Sequence, residues 1–177
     1  NMNKIPFASK LSQPYIDLWG REETQGNILE RALQNFVSPG YSSNTSDAER
    51  AVEKEITRLY EAVGDKSVFP STAPKYFMVN KVKKDLTAEE YTKFARAKGQ
   101  KAYRLMEQLI QSANYRSLSD EEKAECVADV YEYATVYGKT QISDYTTNGW
   151  KSKALKADKY GGSVVDIILK KQKEKAS

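Results

Sequence analysis

The chain has 177 residues, with 28 Lys and Arg against 24 Asp and Glu, one cysteine and no histidine. That length can bury the core of one domain, and 40% hydrophobic with 29% charged residues is a globular composition. Zero histidine excludes Ser-His-Asp and Cys-His catalysis, HExxH metalloproteases and His-ligated zinc. One cysteine excludes a CxxC redox pair, a zinc site built from four cysteines and an intrachain disulfide.

Residues 1–25 are expected to form an extended arm. Pro6, Pro14 and Gly20 break any helical period. Ile5, Phe7, Leu11, Tyr15, Ile16, Leu18 and Trp19 are nevertheless too apolar for a free tail, so the arm should wrap along a surface of this domain or of a neighbour. Asn1 ahead of Met2 reads as the remnant of a cleaved tag. Together with the long irregular arm, it gives the expectation of a piece of a longer protein. The stretch Asn1 to Pro6 carries no apolar signal-peptide region, and nowhere do the roughly 20 apolar residues of a membrane span occur.

A helical domain is predicted over 26–138. Asn27 can cap a short helix with Ile28, Leu29, Ala32, Leu33 and Phe36 on one face, stopped by Pro39 and Gly40. Ser46 and Glu49 have capping-box spacing. The helix they open turns Ala48, Val52, Ile56, Leu59, Tyr60 and Val63 inward and stops at Gly64. Val68-Phe69-Pro70 and Ala73-Pro74 read as extended, because residues before proline avoid the helical region. Tyr76 to Val79 and Val82 to Leu86 predict a hairpin near 76–86, although its turn, Asn80-Lys81, lacks the favoured Asn-Gly.

Thr87 with Glu90 opens a long helix to about Ser112. Its stripe is Tyr91, Phe94, Ala95, Ala102, Leu105, Met106, Leu109 and Ile110, with Gly99 marking a close approach. Ser119 with Glu122 opens the next, which carries Ala124, Val127, Ala128, Val130, Tyr131, Ala134 and Tyr137 and ends before Gly138. Cys126 lies within it and is expected to be buried as a small hydrophobe. The remainder, 139–177, reads as a basic helical tail, with a short helix near 149–158, a break at Gly161-Gly162 and a last helix from Ser163 to Lys175. It holds nine lysines against four acids, a net +5, and leaves −1 for the rest of the chain.

The acidic pairs Glu89-Glu90 and Asp120-Glu121-Glu122 sit in first helical turns, where carboxylates satisfy free N–H groups, rather than facing each other across a cleft as glycosidase acids must. Tyr60, Tyr91, Tyr103, Tyr131 and Tyr137 are expected at core edges with their hydroxyls in water. Tyr145, Trp150 and Tyr160, interleaved with lysines, could instead stack on single-stranded bases. Phosphate contacts would then fall to Lys151, Lys153, Lys156, Lys159, Lys170 and Lys171. Against this, the tail has no Arg for bidentate contacts, and lysines at a helix C-terminus also complement its dipole. Gly161-Gly162-Ser163 before a helix is a weak anion site. No Walker A, GxGxxG, GxSxG or EF-hand spacing occurs, so no cofactor and no metal are expected.

One resemblance rests on ordered motifs. They are Lys4-Ile5-Pro6, Asp17-Leu18-Trp19-Gly20, Asn35-Phe36-Val37-Ser38-Pro39-Gly40, Arg58-Leu59-Tyr60 and Val68-Phe69-Pro70-Ser71. Asp85-Leu86-Thr87-Ala88-Glu89-Glu90-Tyr91, Lys98-Gly99-Gln100-Lys101-Ala102-Tyr103 and Leu118-Ser119-Asp120-Glu121-Glu122-Lys123 follow. Over residues 4–137 the chain resembles an accessory segment near the C-terminus of large polyvalent proteins of tailed bacteriophages, prophages and mobile elements. The resemblance implies a virion-associated or injected context and carries over no catalytic or binding residue.

The expectation is therefore a mainly α small helical domain with one short β-hairpin and an extended N-terminal arm. It would serve as a non-enzymatic structural or interaction module whose partner is a protein, either the rest of a larger chain or a phage or host protein. The alternative is a nucleic-acid-associated module using the lysine-rich tail, and a third is an enzyme with carboxylate or tyrosine chemistry. The expected location is the cytoplasm of the bacterial host or the virion.

Overall fold

A computed structural model describes residues 47–176, together with Tyr15–Ile16, Trp19 and Glu22–Glu23. The fold is mainly α-helical with one short antiparallel hairpin, as the periodicities predict. The expected helix over 27–36 and most of the arm over 1–25 lie outside the described residues. Within the arm, β1 (Tyr15–Ile16) pairs antiparallel with β2 (Glu22–Glu23). Between them Trp19 is buried edge-on against Tyr103, the ring centres 5.9 Å apart.

Helix α1 (Asp47–Val63) ends where predicted. Gly64 takes φ 76° and its N–H donates to the Tyr60 carbonyl at 2.7 Å, a left-handed cap that glycine adopts without a Cβ penalty. One 3-10 turn (Lys66–Val68) follows, with Asp65 accepting from the Ser67 N–H. Val68, predicted extended, is the buried end of this turn, and Phe69 before Pro70 is extended. Then come β3 (Tyr76–Val79), β4 (Val82–Asp85) and α2 (Ala88–Gln111). A one-turn helix, α3 (Ala113–Arg116), is capped by Ser112. The chain is completed by α4 (Asp120–Thr140), α5 (Trp150–Lys159) and α6 (Val164–Ala176). Of the three predicted capping boxes, Thr87 with Glu90 and Ser119 with Glu122 form, and the one opened by Ser46 lies outside the described residues.

Helix α4 is the hub, touching α1, the 3-10 turn, α2, α5 and α6. It is buried nearly all round, at Ala124, Cys126, Val127, Asp129, Val130, Tyr133, Ala134, Val136 and Gly138. A central helix has no single apolar stripe, which is why its sequence pattern is blurred. Gly138, which the sequence pattern places after the helix, lies within it. A Cβ there would stand 2.6 Å from Phe94 Cδ1 and 2.8 Å from Cε1. Here α4 and α2 approach closely, and only a hydrogen in place of a side chain leaves room for the ring.

The lysine-rich segment contributes to this same interior. Ala154 of α5 and Val164, Val165, Ile168 and Leu169 of α6 belong to the main cluster with Ile56, Leu59, Met106, Val127 and Tyr133. A second, smaller cluster of Ala73, Phe77, Phe94 and Ala95 lies under the hairpin.

Candidate interaction surface

Several charged and hydroxyl groups of the body hold its helices together. Tyr115 donates to Glu55 at 2.6 Å, and Arg58 binds both oxygens of Glu55 at 2.9 Å and Asp120 at 3.0 Å. This joins α1 to α3 and to the start of α4. A cleft of about 580 Å³ beside α1 and α2 is lined by Glu55 and Arg58 together with Lys54, Glu107 and Ile110, with Arg116 turned onto the Gln111 carbonyl at 2.7 Å. Tyr131 donates to the Val68 carbonyl and Tyr133 to Asp158, each at 2.7 Å. Asp158 also pairs with Lys101 at 2.9 Å. The expectation of wet tyrosine hydroxyls fails at Tyr131, whose O–H ties α4 to the 3-10 turn. Tyr115 and Tyr133, which belong to none of the apolar stripes read from the sequence, are the largest fully buried side chains. Cys126 is buried, and burial with the nearby Asp129 and Glu125 charges pushes its thiol up to about 12.

The six candidate lysines divide. Lys171 meets Asp129 at 3.1 Å and Lys151 meets Glu132 at 2.9 Å, and both ammonium groups lie near the Trp150 ring. Lys175 reaches Glu125 at 2.6 Å. Because Glu125 pairs with Lys175 and Asp129 with Lys171, the two ladders run in opposite senses and α6 lies antiparallel to α4. The sequence carried this signal: Glu125, Asp129 and Glu132 repeat at i, i+4 and i+7, and Lys171 and Lys175 at i and i+4. Lys153, Lys156, Lys159 and Lys170 are exposed and make no ion pair with a described residue. Tyr160, 79% exposed beside Lys159, is open for stacking. Tyr145 packs on Phe77, and Trp150 packs against the main core. The Gly161-Gly162-Ser163 turn is closed on itself, with Ser163 Oγ accepting from the Asp166 N–H at 3.1 Å.

The hairpin is built differently. Its register pairs Tyr76 with Asp85, Phe77 with Lys84, Met78 with Lys83 and Val79 with Val82. Opposite residues share a face, so Phe77 points to the core and Tyr76, Met78, Lys83 and Asp85 point away. Phe77 is clamped by Phe94 at 5.6 Å and Tyr145 at 6.1 Å, with the Lys139 ammonium 5.1 Å from its ring centre. The outer side leaves Tyr76 53% and Met78 52% exposed, and Val82, beyond the core beside the turn, 67%. Lys83 lies 4.5 Å from the Tyr76 ring centre and 3.6 Å from Asp85, while Lys84 is held by Glu90 at 3.0 Å. Sequence reasoning found the hairpin without finding its exposure. The signal was there: four apolar residues in a row on a two-stranded ladder must turn every second one outward.

No helix among the described residues is long and apolar enough to cross a membrane, and no group of three or more Cys, Asp or Glu among them could hold a metal ion. Comparison of the chain with protein-family models, with curated proteins and with solved structures finds no match.

Proposed function

We propose that this chain is a non-catalytic interaction module of a larger phage or prophage protein, and that it engages a partner protein through the β3–β4 hairpin. One observation carries the reading. The buried and half-buried groups Glu55, Tyr115, Asp129, Tyr133 and Asp158 are tied into inter-helix pairs and Glu90 and Glu122 into caps, whereas Tyr76, Met78 and Val82 stand exposed on an anchored hairpin. Large apolar side chains grouped on a surface mark interaction sites. The phage context rests on the motif resemblance over residues 4–137.

The test is co-expression with the products of the neighbouring reading frames, with complex formation read by size exclusion and light scattering. A complex is expected that is lost on the triple change Tyr76→Ser, Met78→Ser, Val82→Thr while the melting temperature is kept. No complex, or one indifferent to the hairpin, overturns the reading.

A second reading has its own observation. Lys153, Lys156 and Lys159 are exposed on α5 and Tyr160 is exposed at its C-terminal end beside Lys159, a small phosphate-and-stacking strip. It requires salt-dependent binding of single-stranded oligonucleotide that disappears when these three lysines become glutamine.

A further inference from the structure

We propose that the outward face of the β3–β4 hairpin docks an acidic, extended segment of its protein partner. The inference rests on the interaction reading above and specifies the chemistry of the occupant. Three features point to it.

The exposed Tyr76 and Met78 share their face with Lys83, whose ammonium lies 4.5 Å from the Tyr76 ring centre, and the hairpin as a whole is cationic. Lys75, Lys81 and Lys83 are all exposed, against a single exposed acid, Asp85, on the same hairpin. Apolar side chains of an arriving strand would cover Tyr76 and Met78, while its carboxylates meet Lys83 on that face and Lys81 at the tip. Charge complementarity of this kind sets which partner binds and how fast.

The turn is strained in a way that keeps a cation at the tip. Asn80 takes φ 51° and Lys81 φ 70°, the two left-handed residues of a tight hairpin turn. Asparagine tolerates this region, and glycine would be relaxed at the second position. Lysine is not, and strain of this sort gathers where a side chain is used.

The finger is also pre-organised. Phe77 is fixed between Phe94, Tyr145 and Lys139, so little ordering remains to oppose binding. Each strand of the ladder pairs only with the other among the described residues, which leaves edges to which an extended segment can add.

The experiment is an amide-shift NMR titration of the whole chain with three probes. They are a short blocked peptide alternating Glu and Val, its Lys–Val counterpart, and oligothymidylate. The acidic peptide should shift amides within 75–85, and only that probe should do so. Lys81→Gly should raise the melting temperature yet weaken binding about tenfold, a combination that a purely structural turn residue does not give. Tyr76→Ser should weaken it comparably without unfolding the chain. Equal shifts with the Lys–Val peptide overturn the acidic occupant, and oligothymidylate acting on the same amides overturns a protein occupant in favour of nucleic acid. No shift with the acidic peptide at about 2 mM also overturns the proposal. The interaction reading itself falls only if the co-expressed complex fails to form or ignores the hairpin.

Discussion

Lys98 on α2 is 6% exposed, and its ammonium donates to the Ser71 carbonyl just upstream of the hairpin. Burial alone lowers its pKa to about 8 from 10.5. Below pH 8 the folded and unfolded chains both carry this charge, and the folded state bears the whole desolvation cost. Between pH 8 and 10.5 the unfolded chain binds more protons, so stability rises with pH through that window. The full shift corresponds to about 3 kcal/mol. Urea unfolding at about pH 7.5 and about pH 9.5 should show the wild type gaining stability relative to Lys98→Met, and the variant should be the more stable of the two at the lower pH. Parallel pH profiles for the two proteins would contradict this. The sequence places Lys98 inside the helix and gives no warning of its burial, because the extended stretch that covers it arrives from 27 residues away.

At the scale of elements, the contact between α2 and α4 is set by a missing side chain. Gly138→Ala drives a methyl group into the Phe94 ring, which is itself fully buried under Phe77. Overpacking of this kind costs about 1–3 kcal/mol, and thermal melts should show it. Phe94→Leu in the same chain should recover part of the loss. If Gly138→Ala melts with the wild type, the close approach is not real.

The α4–α6 ladder should respond asymmetrically. Asp129 is 8% exposed, and burial raises its carboxyl pKa although Lys171 opposes the shift. Lys171→Met strands a buried carboxylate and should cost about 2 kcal/mol, whereas Asp129→Asn releases a lysine that is already partly in water and should cost under about 1 kcal/mol. Equal losses in denaturant melts would count against the ladder.

Helix starts were legible at this scale because a cap is a local device: Thr87, Ser119 and their glutamates satisfy N–H groups three residues away. The course of α4 past Gly138 was not legible. A glycine reads as a stop unless the ring it accommodates, from Phe94 on another helix, is known.

For the whole molecule, charge and packing divide the chain in different places. By charge, 139–177 stands apart as a basic tail, yet its apolar residues complete the main core and three of its lysines answer acids on α4. Lysine composition could be read from the sequence, but the position of the compensating acids depends on how α6 folds back. Removing 139–177 should therefore abolish cooperative unfolding of what remains, as far-UV and near-UV melts would show. The role of its lysines is better tested by substitution than by truncation. What the packed body leaves outward is the hairpin face, with the α5 strip as its rival.

The most direct measurement sets these two surfaces against each other. Calorimetric titration of the co-expressed partner would compare the wild type with Tyr76→Ser/Met78→Ser and with Lys153→Gln/Lys156→Gln/Lys159→Gln. The hairpin variant should bind at least about tenfold more weakly and the lysine variant within about twofold of wild type. The reverse order would contradict the account.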